Sequence, residues 1–472
     1  MPQSKKPATP RGRKTAKERA HAKKELHKKR VRFAFLAGFV ALIFAAGIII
    51  YHISHESKAA KTVAVQTKRK TTSPTTNKPI IPPTPGTIDQ IISTQTYPAS
   101  TVTTLASQDY GKTVPASTHN VTQVLFTYYS QDTQNKPIVV YARAYIPQTS
   151  TAAPILGMAP GTTGIGDECA ASLENVAISN WGNYESVMMA YASQGFAGVI
   201  TDYEGMRDPS RIHHYMVGVL EGRAVLDSIK AFEKLPQAVG HLNTSQVFLA
   251  GYSQGGHSAF WADTLAASYA PSIKISGLVV WAPVLNVEQT LQGILSGSTL
   301  DWFGPYVLVS YSDYYHTNYN ISNILLPKWS SNLDANVLGN CVGTAISFWG
   351  TNPAAVYTPQ FISDLRSGTL PSSRYGSLQD DMAQNVTGDE PTATPKLIEQ
   401  GETDNVVLAS QAKDALPGIC AASKGPVTLT LYPQNNHYTI MHSSFTNSIS
   451  WMNGIDNGTV STAPSCNTVG GS

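Results

Sequence analysis

Val247-Phe248-Leu249-Ala250-Gly251-Tyr252-Ser253-Gln254-Gly255-Gly256 is the stretch from which the fold can be read. Four apolar residues suited to a buried strand run into G-Y-S-Q-G-G, and a helix-compatible segment, His257 to Ala267, follows. This is the layout of a nucleophile elbow, in which a serine sits on a sharp strand-to-helix turn. So tight a turn needs neighbours without side chains, which accounts for Gly251 and Gly255. It lifts the hydroxyl clear of the sheet and aims a helix N-terminus, with its backbone N–H groups, at any negative charge that forms there. G-x-S-x-G alone is a weak pattern; the strand before it and the helix after it give it weight.

Outward from the elbow, apolar runs alternate with helical periodicity. Pro154 to Ala159 reads as a strand, Ser186–Gln194 as a helix, and Gly198 to Asp202 as a buried strand. Glu221–Leu235 is an amphipathic helix closed by Pro236, and Ile275–Val284 is a further buried strand. Such alternation predicts a mainly parallel α/β sheet. Before it, runs at Val121–Tyr129 and Ile138–Tyr145 read as strands of an antiparallel region opening near Ile91. After it the rhythm breaks. About 285–394 is aromatic-rich and turn-rich, and an interruption of that length reads as an inserted cap or lid. Order resumes at Pro395 to Gln400, followed by a helix at Leu408–Leu416, a strand at Val427–Leu431 and a final helix at about Ser443–Met452.

A serine hydroxyl becomes a good nucleophile only when a base takes its proton and an acid holds that base in one tautomer. On an elbow of this type the chain order is Ser, then Asp or Glu, then His. Of the twelve histidines only His437 and His442 follow both the elbow and a candidate acid. His437 lies in a loop just past the last of the central strands, where a base belongs, whereas His442 opens the terminal helix. For the acid, Asp404 follows a strand in G-E-T-D; by itself it also reads as a turn aspartate that caps the next helix. Glu402 and Asp414 are the weaker choices. Oxyanion donors are expected at the Gln254 amide and at Thr162, in the loop P-G-T-T-G (160–164), which alone could pass for an ordinary turn. Asp167 either braces that loop, donates when protonated, or is a surface carboxylate. His257 is expected to pack inward, and His213 and His214 to line a loop near the cleft rim.

Charge is unevenly spread. Residues 1–32 hold 13 Lys/Arg against 2 acids, whereas the body from Ile80 onward holds 15 against 28. An acidic body argues against nucleic-acid binding. Phe33 to Tyr51 carries no charge and is long enough to span a bilayer, so 33–53 is expected to be a single transmembrane anchor, with a cleaved signal peptide as the competing reading. The basic tail 1–32 would then stay cytoplasmic and everything after Ile53 would lie outside. Residues 54–90, rich in Thr, Pro and Lys, read as a tether, leaving 91–472 as the folded body. All four cysteines, Cys169, Cys341, Cys420 and Cys466, follow the span and are expected to form two disulfides. Their spacing fits no zinc site, and no metal or cofactor is required by the chemistry. Five N-x-S/T sequons stand at Asn120, Asn243, Asn320, Asn385 and Asn457.

Six motifs together resemble the secretory lipase family, the fungal lipase-A type and its actinobacterial relatives. They are G-T-T-G-I-G-D-E-C-A-A-S (161–172), T-D-Y-E-G (201–205), H-Y-M-V-G-V-L-E-G-R-A-V-L-D (214–227), G-Y-S-Q-G-G (251–256), G-E-T-D-N-V-V (401–407) and N-N-H-Y-T (435–439). The resemblance covers nearly all of the body after about Val121 and implies an α/β-hydrolase fold with an inserted cap. It also implies a triad of Ser253, Asp404 and His437, and the pairings Cys169–Cys341 and Cys420–Cys466. Pro160 departs from the family, where a His often precedes the Gly-Thr loop, as does Ala-Ala after Cys169 where Ala-Pro is usual. The cap matches poorly, and a membrane anchor is not the family habit. The expected function is that of a membrane-anchored, extracytoplasmic serine hydrolase acting on lipid or other carboxylic esters. An envelope acyltransferase could use the same triad, and a catalytically silent surface-binding module is the reading from another class.

Overall fold

The computed structural model describes residues 82–175, 182–297 and 299–471. Its strands are β1 (Thr87–Tyr97), β2 (Val121–Gln131), β3 (Pro137–Pro147), β4 (Ala153–Ala159), β5 (Ala197–Thr201), β6 (Leu242–Tyr252), β7 (Ile275–Trp281), β8 (Lys396–Gly401), β9 (Val427–Tyr432) and β10 (Cys466–Gly470). Helices of at least eight residues are α1 (Ala99–Tyr110), α2 (Tyr184–Ser193), α3 (Gly218–Phe232), α4 (Gln254–Tyr269), α5 (Val287–Gly297), α6 (Phe303–Tyr314), α7 (Val342–Trp349), α8 (Pro359–Arg366), α9 (Ala409–Ala422) and α10 (Phe445–Asp456).

All ten strands join one sheet in the order β1-β2-β3-β5-β4-β6-β7-β8-β9-β10. The first three and β5 pair antiparallel; β5 through β10 pair parallel. The period of two along β6 divides its side chains between two cores. Val247 and Leu249 pack with Val225, Ile229, Ala259 and Leu416 on the side of α3, α4 and α9. Phe248 and Ala250 face Val187, Met188, Phe445 and Met452 on the side of α2 and α10, where α1 also packs. A strand covered on both faces has no position for polar side chains, hence the unbroken apolar run before the elbow.

The expected cap is present and helical. Between β7 and β8 the chain forms α5 to α8, with shorter helical turns among them and one isolated bridge, Leu325 to Tyr357. Its core is separate, built on Trp302, Phe303, Tyr306, Tyr311, Trp329 and Tyr357 among others, and also takes in Tyr215, Val217 and Leu220 from the body. Asn385 is 3 % exposed, with its side-chain amide in three hydrogen bonds. This sequon is therefore closed to glycosylation.

The body begins earlier than the sequence reading placed it. β1 starts at Thr87, inside the expected tether, because residues from Thr87 onward pair with β2. Its residues are intermediate or exposed, so no buried alternation marks it. α1 was missed for a related reason. Five of its twelve residues are Ser or Thr, poor helix formers, and Val102, Leu105, Ala106 and Tyr110 alone carry its packing. α9 runs past Pro417 to Ala422, where buried Ile419 and the bond at Cys420 hold the last turn. β10 is exposed throughout and is held by parallel pairing to β9 and by Cys420–Cys466. The second bond is Cys169–Cys341, so both expected pairings are present. The basic tail, the transmembrane helix expected at 33–53 and most of the tether lie outside the described residues. Among the described residues no helix is long and apolar enough to cross a membrane.

One buried acid in the cap makes stability depend on pH. Asp301 is wholly buried between α5 and α6. Burial pushes its carboxyl up to about 7, with the Asn352 amide opposing the shift. A carboxyl raised in the folded state contributes stability that is full below its unfolded pKa and is lost as pH rises towards 7. Asp301→Asn should therefore raise the thermal unfolding midpoint over the native chain at pH 8, with the gain shrinking towards zero at pH 4. A gain confined to pH 4 would contradict this.

Candidate active site

The elbow is a crossing of backbones. A Cβ on Gly251 would strike the Gly255 carbonyl, and one on Gly255 would strike the carbonyls of Ala159 and Pro160. Between them Ser253 adopts φ 57° and ψ −116°, a conformation non-glycine residues rarely hold unless the surroundings impose it. Its amide donates to the Trp281 carbonyl at 2.9 Å, which ties the turn to the end of β7.

The residues singled out from sequence meet here. His437 Nε2 lies 3.1 Å from Ser253 Oγ, and His437 Nδ1 lies 2.8 Å from Asp404 Oδ2. An ionised carboxylate can only accept, so Nδ1 carries the proton and Nε2 is left to accept from the serine hydroxyl. Tyr252 donates its hydroxyl to the His437 carbonyl at 3.0 Å, fixing the histidine loop to the elbow strand. Asp404 is a turn aspartate but does not cap the next helix, α9, whose N-cap is Leu408. Oδ1 accepts from the amides of Val406 and Val407 at 2.8 and 2.9 Å, while Oδ2 faces the imidazole and accepts from Gln400 at 3.2 Å. The other candidates stand elsewhere. Glu402 pairs with Lys413, Asp414 lines a surface groove with Arg366 and Ser410, and His442 packs edge-on against Tyr110.

Gln254, next to Ser253, opens α4, and the loop after β4 brings Thr162 to the cavity that Ser253 lines. The Pro160 carbonyl accepts from the Tyr203 hydroxyl at 2.7 Å, the Gly161 amide donates to the Tyr184 hydroxyl, and Thr162 Oγ1 lies 2.8 Å from the Tyr215 hydroxyl. Further along, the Thr163 carbonyl accepts from Val342, the first residue of α7, next to the Cys169–Cys341 bond. Asp167 does not join the site. It lines a separate groove with Glu168, Arg211 and Leu338, so of its three readings the surface carboxylate stands.

The cavity over Ser253 and His437 has a volume of about 60 Å³. Its walls are largely apolar: Leu300, Trp302 and Phe303 at the start of α6, Val342 and Ile346 on α7, and Val406 and Val407 beside Asp404.

Beneath the elbow is a buried polar group that the sequence reading passed over. Glu221, in the first turn of α3, accepts at Oε1 from the Met216 amide at 2.9 Å and from Gln254 Nε2 at 2.6 Å. At Oε2 it accepts from the Ser258 hydroxyl at 2.7 Å and faces His257 Nδ1 at 3.1 Å. Burial would raise this carboxyl, yet the hydrogen bond and charge of His257 outweigh burial and hold it below the usual carboxylate value. His257 does pack inward, as expected. His213 does not lie at a rim: it is 1 % exposed, stacks on Tyr203, and its Nε2 lies 2.9 Å from Gln254 Nε2. Burial lowers its pKa. Only His214 reaches outward, bridging Glu204 and the cap residue Asp313 at 2.8 and 2.9 Å. One signal for Glu221 was available in the sequence. It is a carboxylate on the same helical stripe as Leu220, Ala224 and Val225, a face that otherwise goes to the core.

The secretory lipase family model matches residues 182–461. Lipase A of Moesziomyces aphidis is 29% identical over 179 residues, 34% of this chain and 34% of its own length. Lipase 1 of Candida albicans is 28% identical over 169 residues, 35% of this chain and 34% of its own length. The chain thus aligns with about a third of the length of these curated relatives. Among solved structures, the rice cell wall degrading esterase LipA from Xanthomonas oryzae superposes with a TM-score of 0.62 at 20% identity, covering 79% of this chain and 97% of that one. Candida antarctica lipase A in its closed state superposes at 0.60 and 20% identity, covering 82% and 86%. These two share the fold, an α/β-hydrolase sheet. With the family model matching well over half of its length, the chain belongs to the secretory lipase family.

Proposed function

We propose that the protein hydrolyses carboxylic esters through an acyl-enzyme on Ser253. The observation that carries this reading is the continuous hydrogen-bonded line from Ser253 Oγ through His437 to Asp404. His437 Nε2 takes the hydroxyl proton as Oγ attacks the ester carbonyl, and Asp404 stabilises the imidazolium that forms. The tetrahedral oxyanion is received by the amides of Gln254 and Thr162. Collapse breaks the bond to the alcohol, which leaves with the proton from His437. A water then repeats the sequence and releases the acid. Ser253→Ala should abolish turnover of a p-nitrophenyl acyl ester without unfolding the chain, and a fluorophosphonate should label the native protein but not the variant. Full turnover in Ser253→Ala would refute the triad, and an unlabelled native protein would favour the surface-binding module.

The cavity supports esters of short acyl chains. At about 60 Å³ it is far smaller than the roughly 150 Å³ apolar void that takes up benzene. With Trp302 and Ile346 where they stand, an acyl group of about two to four carbons fills it. A chain-length series should peak at acetate to butyrate, and Trp302→Ala should move the peak to longer chains. A native optimum at palmitate would overturn this.

The reading extends to placement. The uncharged run 33–51 anchors the chain with its basic tail inside, the tether follows, and the catalytic body lies outside, where two disulfides persist. The protein should stay with membranes after an alkaline carbonate wash, and deletion of 1–54 should release it. Recovery of the full-length chain in the soluble fraction would contradict the anchor.

A further inference from the structure

Gln254 is the residue whose backbone amide the proposed mechanism needs, and its position is hard to hold. The plane of the 253–254 peptide is set by ψ of Ser253, which at −116° belongs to a strained conformation. Relaxation of that angle would swing the Gln254 N–H away from the forming oxyanion. The side chain of Gln254 counters such a rotation because both hydrogens of its amide nitrogen are engaged. One goes to Glu221 Oε1 at 2.6 Å and the other to His213 Nε2 at 2.9 Å. His213 can accept because its Nδ1–H is directed at the Glu204 carbonyl at 3.1 Å. The amide cannot be turned over, since its oxygen would then face a carboxylate.

Glu221 is itself held from several sides. Met216, at φ 60°, donates its amide to Oε1. Ser258, one turn along α4 from Gln254, donates to Oε2. His257 faces Oε2 with Nδ1 and the carbonyl of the cap residue Asn385 with Nε2 at 2.8 Å. Asn385 returns the contact by accepting from the Gly218 amide at the start of α3. A carboxylate placed there only to neutralise His257 would need no contact with Gln254, yet the Gln254 bond is the shorter of the two.

We propose that Glu221 is the positioning residue of the oxyanion hole, fixing the Gln254 amide through that residue's side chain. The inference rests on the ester-hydrolase reading above. The test compares Glu221→Gln, Gln254→Met and the double variant with the native chain on p-nitrophenyl butyrate. An alkyl boronic acid, which forms a negatively charged tetrahedral adduct on the serine, serves as the second probe. Each single variant should lose ~10- to 100-fold in kcat with KM within about twofold, and inhibition by the boronic acid should weaken by a similar factor. The double variant should fall no further than the worse single, because both act through one contact. Native kcat in either variant, with only a lower unfolding midpoint, would make Glu221 a folding residue and overturn the inference. Multiplicative losses in the double variant would also overturn it. Should Glu221→Gln fail to fold, Gln254→Met leaves the Glu221–His257 pair intact and decides alone. Turnover in Ser253→Ala would sink the triad itself. An inert Ser253→Ala beside fully active Glu221→Gln and Gln254→Met would sink this inference alone.

Discussion

The molecule depends on a contact between backbones. The end of β6 and the start of α4 approach so closely that Gly251 lies on the Gly255 carbonyl and Gly255 on that of Ala159. No side chain can enter, and the serine between them is forced into a backbone angle it would otherwise avoid. The geometry lasts because the crossing is packed from both faces of the sheet and tied to β7 by the Ser253 amide. Parallel order does the rest. β4, β6, β8 and β9 all end at one edge, so the Gly-Thr loop, the serine, Asp404 and His437 arrive there from strands of the same direction.

The cap is fastened to this edge at separated points. A covalent bond joins Cys341 to Cys169. Asp313 on α6 meets His214, a ring with carboxylates on both sides that raise its pKa against the opposing effect of burial. Asn385 bonds both His257 and the head of α3. The third fastening reaches the polar group beneath the elbow, so cap and nucleophile turn share a buried network although they belong to different cores.

How much of this was legible follows from how each part is stabilised. β6 and α4 were readable because burial on two faces leaves only apolar residues, and the steric crossing leaves only glycine. His437 and Asp404 were readable because chain order on a parallel sheet restricts which residues can reach the serine. β1, α1 and β10 were not. Their residues carry little periodic apolar signal, and they are held by pairing, a few buried side chains and a disulfide. Glu221 and His213 were hidden for the opposite reason. His213 looks like an ordinary polar residue in a loop, Glu221 stands out only as a carboxylate on a core-facing helical stripe, and the fold is what places both against Gln254.

The Cys169–Cys341 bond connects residues 172 apart in the chain. One end lies a few residues after the Gly-Thr loop and the other immediately precedes α7, whose first amide also donates to the Thr163 carbonyl. The roof of the cavity and the loop beside the serine are therefore one mechanical piece. Any displacement of α7 would tug on the Thr162 side of the cavity. The apolar wall that α7 gives the cavity and the loop that carries Thr162 cannot shift independently in this chain.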